Sequence, residues 1–233
     1  MLQHDRDIYT SAALRQLLDD QTHVMTPNLQ RCFGVHALLV GASSTDVPPV
    51  LPMLGCWTRL WMDEDSCRGD LIAPTDALLP FVDDAFDLVL LRHALEVVAA
   101  SSVLLAESIR VLSPGGMLVV TGVHPVSAWA PWFYWRARGG GQALHMPFRL
   151  VLALQQAGMD IERLQRVGSL LPGVTKAQPT LARAFGGGYV LIARKRRHGV
   201  TPLRRQPMSV RVSAQGGFSP GTRRNASWRI STD

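Results

Sequence analysis

A chain of 233 residues that is 47% hydrophobic can bury one large core, and its length suits one domain of about 200 residues plus a tail. The formal charge of +6 is unevenly spread: Arg196 to Asp233 holds eight arginines and one acid, whereas the remainder holds 16 basic and 17 acidic residues. Net charge therefore gives no support to a nucleic-acid reading of the body. No run approaches the ~18 uninterrupted apolar residues of a membrane span, so no transmembrane segment is expected. The polar start MLQHDRDIYT does not read as a secretory signal. Cys32, Cys56 and Cys67 form no CxxC and read as reduced thiols of a cytoplasmic protein. With seven histidines they show no ligand spacing, so no metal is expected.

Residues 7–30 carry a broken helical pattern, with Ile8, Leu14, Leu17 and Leu18 ahead of Pro27. They predict one or two helices packed over the first strand. His36–Gly41 is a short apolar run and predicts that first strand. Trp57–Met62 predicts the second and ends at Asp63-Glu64-Asp65, and a short third strand is expected near Leu71-Ile72-Ala73. Phe86–Leu91 and Met117–Thr121 are the fourth and fifth. Between them Leu95, Val98, Leu105, Ile109 and Leu112 share one helix stripe with Ser102. Ser113-Pro114-Gly115-Gly116 then stops the helix and turns the chain. A strand, a helix and a strand at this length make a crossover between parallel neighbours. Both strands are apolar without alternation, as expected where helices cover both faces of a sheet.

A loop or partly helical insertion follows, rich in tryptophan and glycine. Phe148–Ala157 predicts a helix, Met159–Val167 a sixth strand and Tyr189–Arg194 a seventh. Beyond about Arg197 the chain lacks periodicity and is rich in Ser, Gly, Pro and Arg, so it is expected to be disordered. That tail reads either as an electrostatic arm for nucleic acid or an acidic partner, or as a solvated extension.

LPFVDDAFDLVLLRHALE followed by RVLSPGGMLVVTG resembles the class I S-adenosylmethionine-dependent methyltransferases of the type 11 domain family. The resemblance is strong over about a fifth of the chain and looser from Tyr9 to Arg194. It implies an α/β fold, a doubly wound seven-stranded Rossmann-like sheet, mostly parallel with an antiparallel C-terminal edge strand. It divides the chain into an N-terminal helical segment (1–30), a methyltransferase-like domain (31–196) and the basic tail (197–233). It also implies S-adenosyl-L-methionine as cofactor and a small-molecule acceptor, and does not address the oligomeric state.

Ligands of such sheets bind beyond the carboxyl ends of the strands. In the family a glycine-rich turn follows the first strand, and glycines let the backbone approach a ligand closely. Here Gly41-Ala42-Ser43-Ser44-Thr45-Asp46 keeps one glycine and places Ser43 at the second position, and Pro48-Pro49 denies the next helix a normal start. Asp63 takes the place of the acid that accepts from the ribose hydroxyls, or it belongs to an acidic turn. Asp76 takes that of the acid for the adenine amino group, or it caps a turn; Leu78 and Leu79 would wall the adenine or sit in the core. Arg92 and His93 stand at the ligand end of the fourth strand, and with Gly41, Ser43, Asp63, Asp76 and Leu78, Arg92 is a candidate cofactor contact. His93 would face the methyl donor or act as a base, or it is a packed residue; Glu96 would favour the start of the next helix. Asp87 opens the same strand at the far end and reads as structural.

His124, with Pro125, Ser127 and Trp129, resembles an Asn-Pro-x-Ser-x-Trp stretch of bacterial relatives and is the second catalytic candidate. Trp129, Trp132, Phe133, Tyr134 and Trp135 would form an aromatic lid or pack the insertion onto the sheet, and Arg136 and Arg138 would suit an anionic acceptor. The reduced glycine turn also leaves open a methyltransferase-fold module that has lost its cofactor and binds a partner. A nicotinamide enzyme would need G-x-G-x-x-G after the first strand, and none is present.

Overall fold

The computed structural model describes residues 8–62, 66–74, 78–137, 143–173, 182 and 184–197, all within one compact unit, Met1–His198. A short 3-10 turn, Ile8–Thr10, leads into α1 (Ala12–Leu29). Ser11 caps α1 by accepting from Leu14 N, a donor the helix itself cannot satisfy. Leu14, Leu17, Gln21, Met25 and Leu29 form the buried stripe of this one helix, and Pro27 is accommodated in its last turn.

Strands β1 (Gly34–Gly41), β2 (Leu54–Met62), β3 (Ser66–Gly69), β4 (Ala73–Pro74), β5 (Phe86–Arg92), β6 (Leu112–Val123), β7 (Met159–Val167) and β8 (Gly188–Lys195) form one sheet. Their order is β4-β3-β2-β1-β5-β6-β8-β7. Between β5 and β6 lie α2 (Ala94–Val97) and α3 (Ser101–Val111); α4 (Trp129–Ala137) and α5 (Pro147–Gln156) lie between β6 and β7. The α/β sheet of the sequence reading is present, with three corrections. The third strand is replaced by two short pieces, β3 and β4, paired antiparallel, so the sheet has eight strands. Parallel pairing is confined to β2-β1-β5-β6. The antiparallel C-terminal strand is not at the edge: β8 lies between β6 and β7, and β7 forms the edge.

The crossover from β5 to β6 is as expected, but its helix is broken at Val98–Ala100, and Ser102 is exposed, off the buried stripe. The Ser-Pro-Gly-Gly segment does not end the helix. Leu112 is already extended and pairs with Phe86, and the register then slips so that Leu88 pairs with Met117. Residues 113–116 form an irregularity within β6 that absorbs the extra length, with Gly115 at φ 86° where a side chain would be strained. Helices α3 and α5 cover one face, where Leu104, Leu105, Leu150 and Leu154 meet Val89, Leu91, Leu118 and Leu191. On the other face α1 sets Met25 and Leu29 against Ala37, Leu39, Leu88, Leu90, Val119 and Ile192, and so covers β5, β6 and β8 as well as the first strand. Residues 42–53 contain no helix, as Pro48-Pro49 implies. Among the described residues no helix is long and apolar enough to cross a membrane.

Candidate functional site

The sheet order sets the carboxyl ends of β2, β1, β5 and β6 side by side. Gly41 pairs with Trp61, Val40 with Leu91, and Arg92 with Thr121. The rim so formed runs from Met62 through Gly41 and Arg92 to Val123.

The turn after β1 folds back on itself. Ser43 N donates to Asp46 Oδ2 (3.4 Å) and Asp46 N donates to Ser43 O (3.2 Å). A Cβ on Gly41 would collide with the Asp46 carboxylate, so the turn needs this glycine for its own closure. Arg92 reaches from the end of β5 into the same turn. Its guanidinium lies 3.9 Å from Asp46 Oδ1 and donates to Val47 O (3.1 Å) and to Thr22 Oγ1 of α1 (3.1 Å). Burial lowers the pKa of Arg92, and the charge of Asp46 works against that shift. Arg92 thus ties the turn to the sheet and to α1.

His93 is fully buried and takes a left-handed conformation (φ 55°), which turns the chain from β5 into α2. Gln21 Nε2 donates to Gly122 O (3.1 Å) and Tyr189 O (3.3 Å), so Gln21 Oε1 is the acceptor facing His93 Nε2 at 2.9 Å. His93 Nδ1 meets Glu96 Oε2 at 3.0 Å, and one proton lies between them. Tyr9 OH donates to the same Glu96 oxygen (2.9 Å), and Val123 N donates to the other. Four side chains from three segments thus close the inner side of the rim, beneath a cluster of Ile8, Tyr9, Leu14, Val123, Trp129 and Phe133.

The two candidate histidines are placed differently. His124 follows β6 and lines an open cleft of about 580 Å³ with Pro147, Leu164, Arg166 and Tyr189. Its Nδ1 accepts from Val126 N (3.1 Å). Burial and the positive charge of Arg166 lower its pKa. The aromatic segment divides. Trp129 and Phe133 are buried, and Trp129 Nε1 donates to Ser169 O (3.0 Å), whereas Tyr134 and Trp135 are exposed. Arg136 is exposed on α4.

Elsewhere the motif residues support the site without lining it. Arg110 chelates Glu107, donates to the carbonyls of Leu79 and Phe81, and pairs with Asp83 at 2.6 Å. Glu107 in turn accepts from Leu79 N (2.9 Å), which buries Leu79 and leaves Leu78 68% exposed at the start of this segment. Asp87 accepts from Val35 N (2.8 Å) and Ser113 Oγ (3.2 Å) and so locks the opposite end of the sheet, the structural part expected of it. Asp63, Asp76 and Arg138 lie outside the described residues, as do residues 198–233 of the tail. The sequence reading missed Tyr9, Gln21 and Arg166. A signal existed for Gln21, a polar residue on the stripe Leu14-Leu17-Gln21-Met25-Leu29.

A family model described as a methyltransferase domain matches residues 62–120, from the end of β2 into β6. A SAM-dependent methyltransferase of Thermotoga maritima superposes with a TM-score of 0.50 at 15% identity, covering 84% of this chain and 100% of that one. A methyltransferase of Haloferax volcanii, solved in complex with a methyltransferase activator, gives 0.52 at 17% identity over 83% and 98%. The chain has the class I methyltransferase fold. A SAM-dependent methyltransferase of Archaeoglobus fulgidus shares this fold too, at a TM-score of 0.51 and 14% identity over 78% and 94%. No curated protein matches the chain. The matched segment includes the Leu79–Phe81 and Arg110 contacts, which hold residues 79–81 against α3.

Proposed function

We propose that this chain transfers a methyl group from S-adenosylmethionine to a small-molecule acceptor. The reading is carried by the sheet, in which β2-β1-β5-β6 are parallel and β8 is inserted antiparallel, in a chain whose residues 62–120 match a methyltransferase domain. The cofactor supplies an already electrophilic methyl group, so the protein need only bind, align and exclude water. The rim fits that task. Leu78 offers exposed apolar surface, and the small residues Gly41 and Ser43 end β1 in a turn closed by Asp46. Thr121 Oγ1, at the end of β6, is the one buried side-chain polar atom without a partner among the described residues. Asp63 is the proposed acceptor for the ribose hydroxyls and Asp76 for the adenine amino group. Arg92 and His93 act as positioning residues, because their polar atoms are already engaged within the chain.

Calorimetric titration with S-adenosylhomocysteine tests this reading. Micromolar binding that Asp63→Ala weakens supports it. No binding at millimolar ligand overturns it in favour of a partner-binding module, for which the closure of the Gly41 turn on Asp46 would then be the structural reason.

A further inference from the structure

The cleft behind β6 has a charge pattern that the methyl-transfer reading does not use. Some arginines of the described chain meet a carboxylate, Arg92 with Asp46, Arg110 with Glu107 and Asp83, Arg194 with Glu162 and Arg196 with Asp160, and others, Arg163 among them, do not. Arg166 does not either. Its Nε donates to Gly186 O (3.1 Å) and its Nη2 to Val126 O (3.0 Å), both neutral acceptors. Among the described residues no carboxylate pairs with it. These two bonds fix the guanidinium plane from one side and leave Nη1 without a described partner. His124 stands beside it, and because its Nδ1 accepts from Val126 N, the neutral ring carries its hydrogen on Nε2. Of the apolar lining residues Leu164 is exposed, whereas Tyr189 and Pro147 are buried. The open cleft of about 580 Å³ has room for a small organic molecule. A partly exposed guanidinium whose bonds go to neutral acceptors keeps its charge available to an oxyanion.

We propose that this cleft binds a small molecule carrying a carboxylate or phosphate on an apolar body. Arg166 is the oxyanion anchor, His124 Nε2–H is a second donor, and Leu164 offers apolar surface to the body. Arg163 also lines the cleft and bonds the neutral Asn28 Oδ1 and Gln165 Oε1, so it adds a second positive charge there. None of its contacts involves Gly41, Asp46 or Arg92, although His124 follows Val123 at the end of the rim.

The test uses the full chain and benzoate as probe, with benzamide as the neutral isostere, followed by calorimetry and by resonance shifts in isotope-labelled protein. One-to-one benzoate binding is expected, with benzamide not detected. Arg166→Gln should weaken benzoate by about tenfold or more, the size of a lost charged hydrogen bond. Arg196→Gln, the same charge change at the far end of the β7–β8 hairpin, should leave it unchanged. Phenyl phosphate in place of benzoate tells which oxyanion is preferred, and binding of either supports the site. Equal binding of benzamide overturns the proposal, as does equal loss in the two variants or no saturable binding. Should Arg166→Gln fail to fold, the native protein still decides: benzoate must shift the resonances of His124 and Leu164, and shifts confined elsewhere overturn the proposal.

Discussion

Glu96 and Glu107 both lie in the crossover between β5 and β6, and both accept a backbone N–H from a distant segment. Their surroundings differ. Glu107 is buried, but it shares Arg110 with the largely exposed Asp83 and with two carbonyls, so Arg110 holds the cluster through several bonds. Glu96 is sealed: its neighbours Tyr9 and His93 each spend a polar group on it, and His93 depends on Gln21 for its other nitrogen. The open cluster is redundant and yields gradually. The sealed one is a chain of single bonds at low local dielectric, where losing one member strands the others.

That difference can be broken from the sealed side first. Glu96→Ala leaves Val123 N, Tyr9 OH and His93 without their acceptor and should cost about 3 kcal/mol or more, read from the urea midpoint. Gln21→Leu strands His93 Nε2 and the carbonyls of Gly122 and Tyr189, with an expected loss of about 2 kcal/mol. A loss under about 0.5 kcal/mol in either variant would contradict the single-bond picture.

The open side responds to acid. Its bond to Arg110, more than any other influence, holds the Glu107 pKa below its ordinary value. With the folded pKa below the unfolded value of about 4.3, its contribution is complete above that pH and is lost as pH falls through the depressed value. Glu107→Gln should therefore cost about 1–2 kcal/mol at pH 7 and little once both forms are protonated. Urea melts at pH 7 and at successively lower pH follow the loss, and a cost that does not shrink as pH falls would sink the assignment. The smallest effect belongs to Asp83→Ala: its carboxylate is largely exposed beside Arg110, and a shift above about 1 kcal/mol would contradict the redundancy argued here.

The open cluster was more legible in the sequence than the sealed one. Leu79-Pro80-Phe81 and Arg110 stand in a recognisable order because they touch through a short crossover, and β7 and β8 carry clear apolar patterns. The sealed network joins Tyr9, Gln21 and His93 across 72 to 87 residues, a separation that no local pattern encodes. The third strand was misplaced for another reason. β3 and β4 are four and two residues long and gain their form from pairing, β3 with β2 and β4 with β3, not from their own periodicity. The glycines at 115 and 116 have the composition of a helix stop but serve a slipped register, which only the partner strand reveals.

The interior place of β8 has a consequence for synthesis. Because the last strand of the sheet lies between β6 and β7, a nascent chain that has emerged only as far as β7 has two strands waiting for a central partner. Until Gly188–Lys195 leaves the ribosome, the backbone edge of β6 and the apolar side chains that later meet Val190 and Ile192 stay uncovered. This fold therefore closes late, and its period of greatest exposure to chaperones and to aggregation falls in the last stretch of translation of the domain.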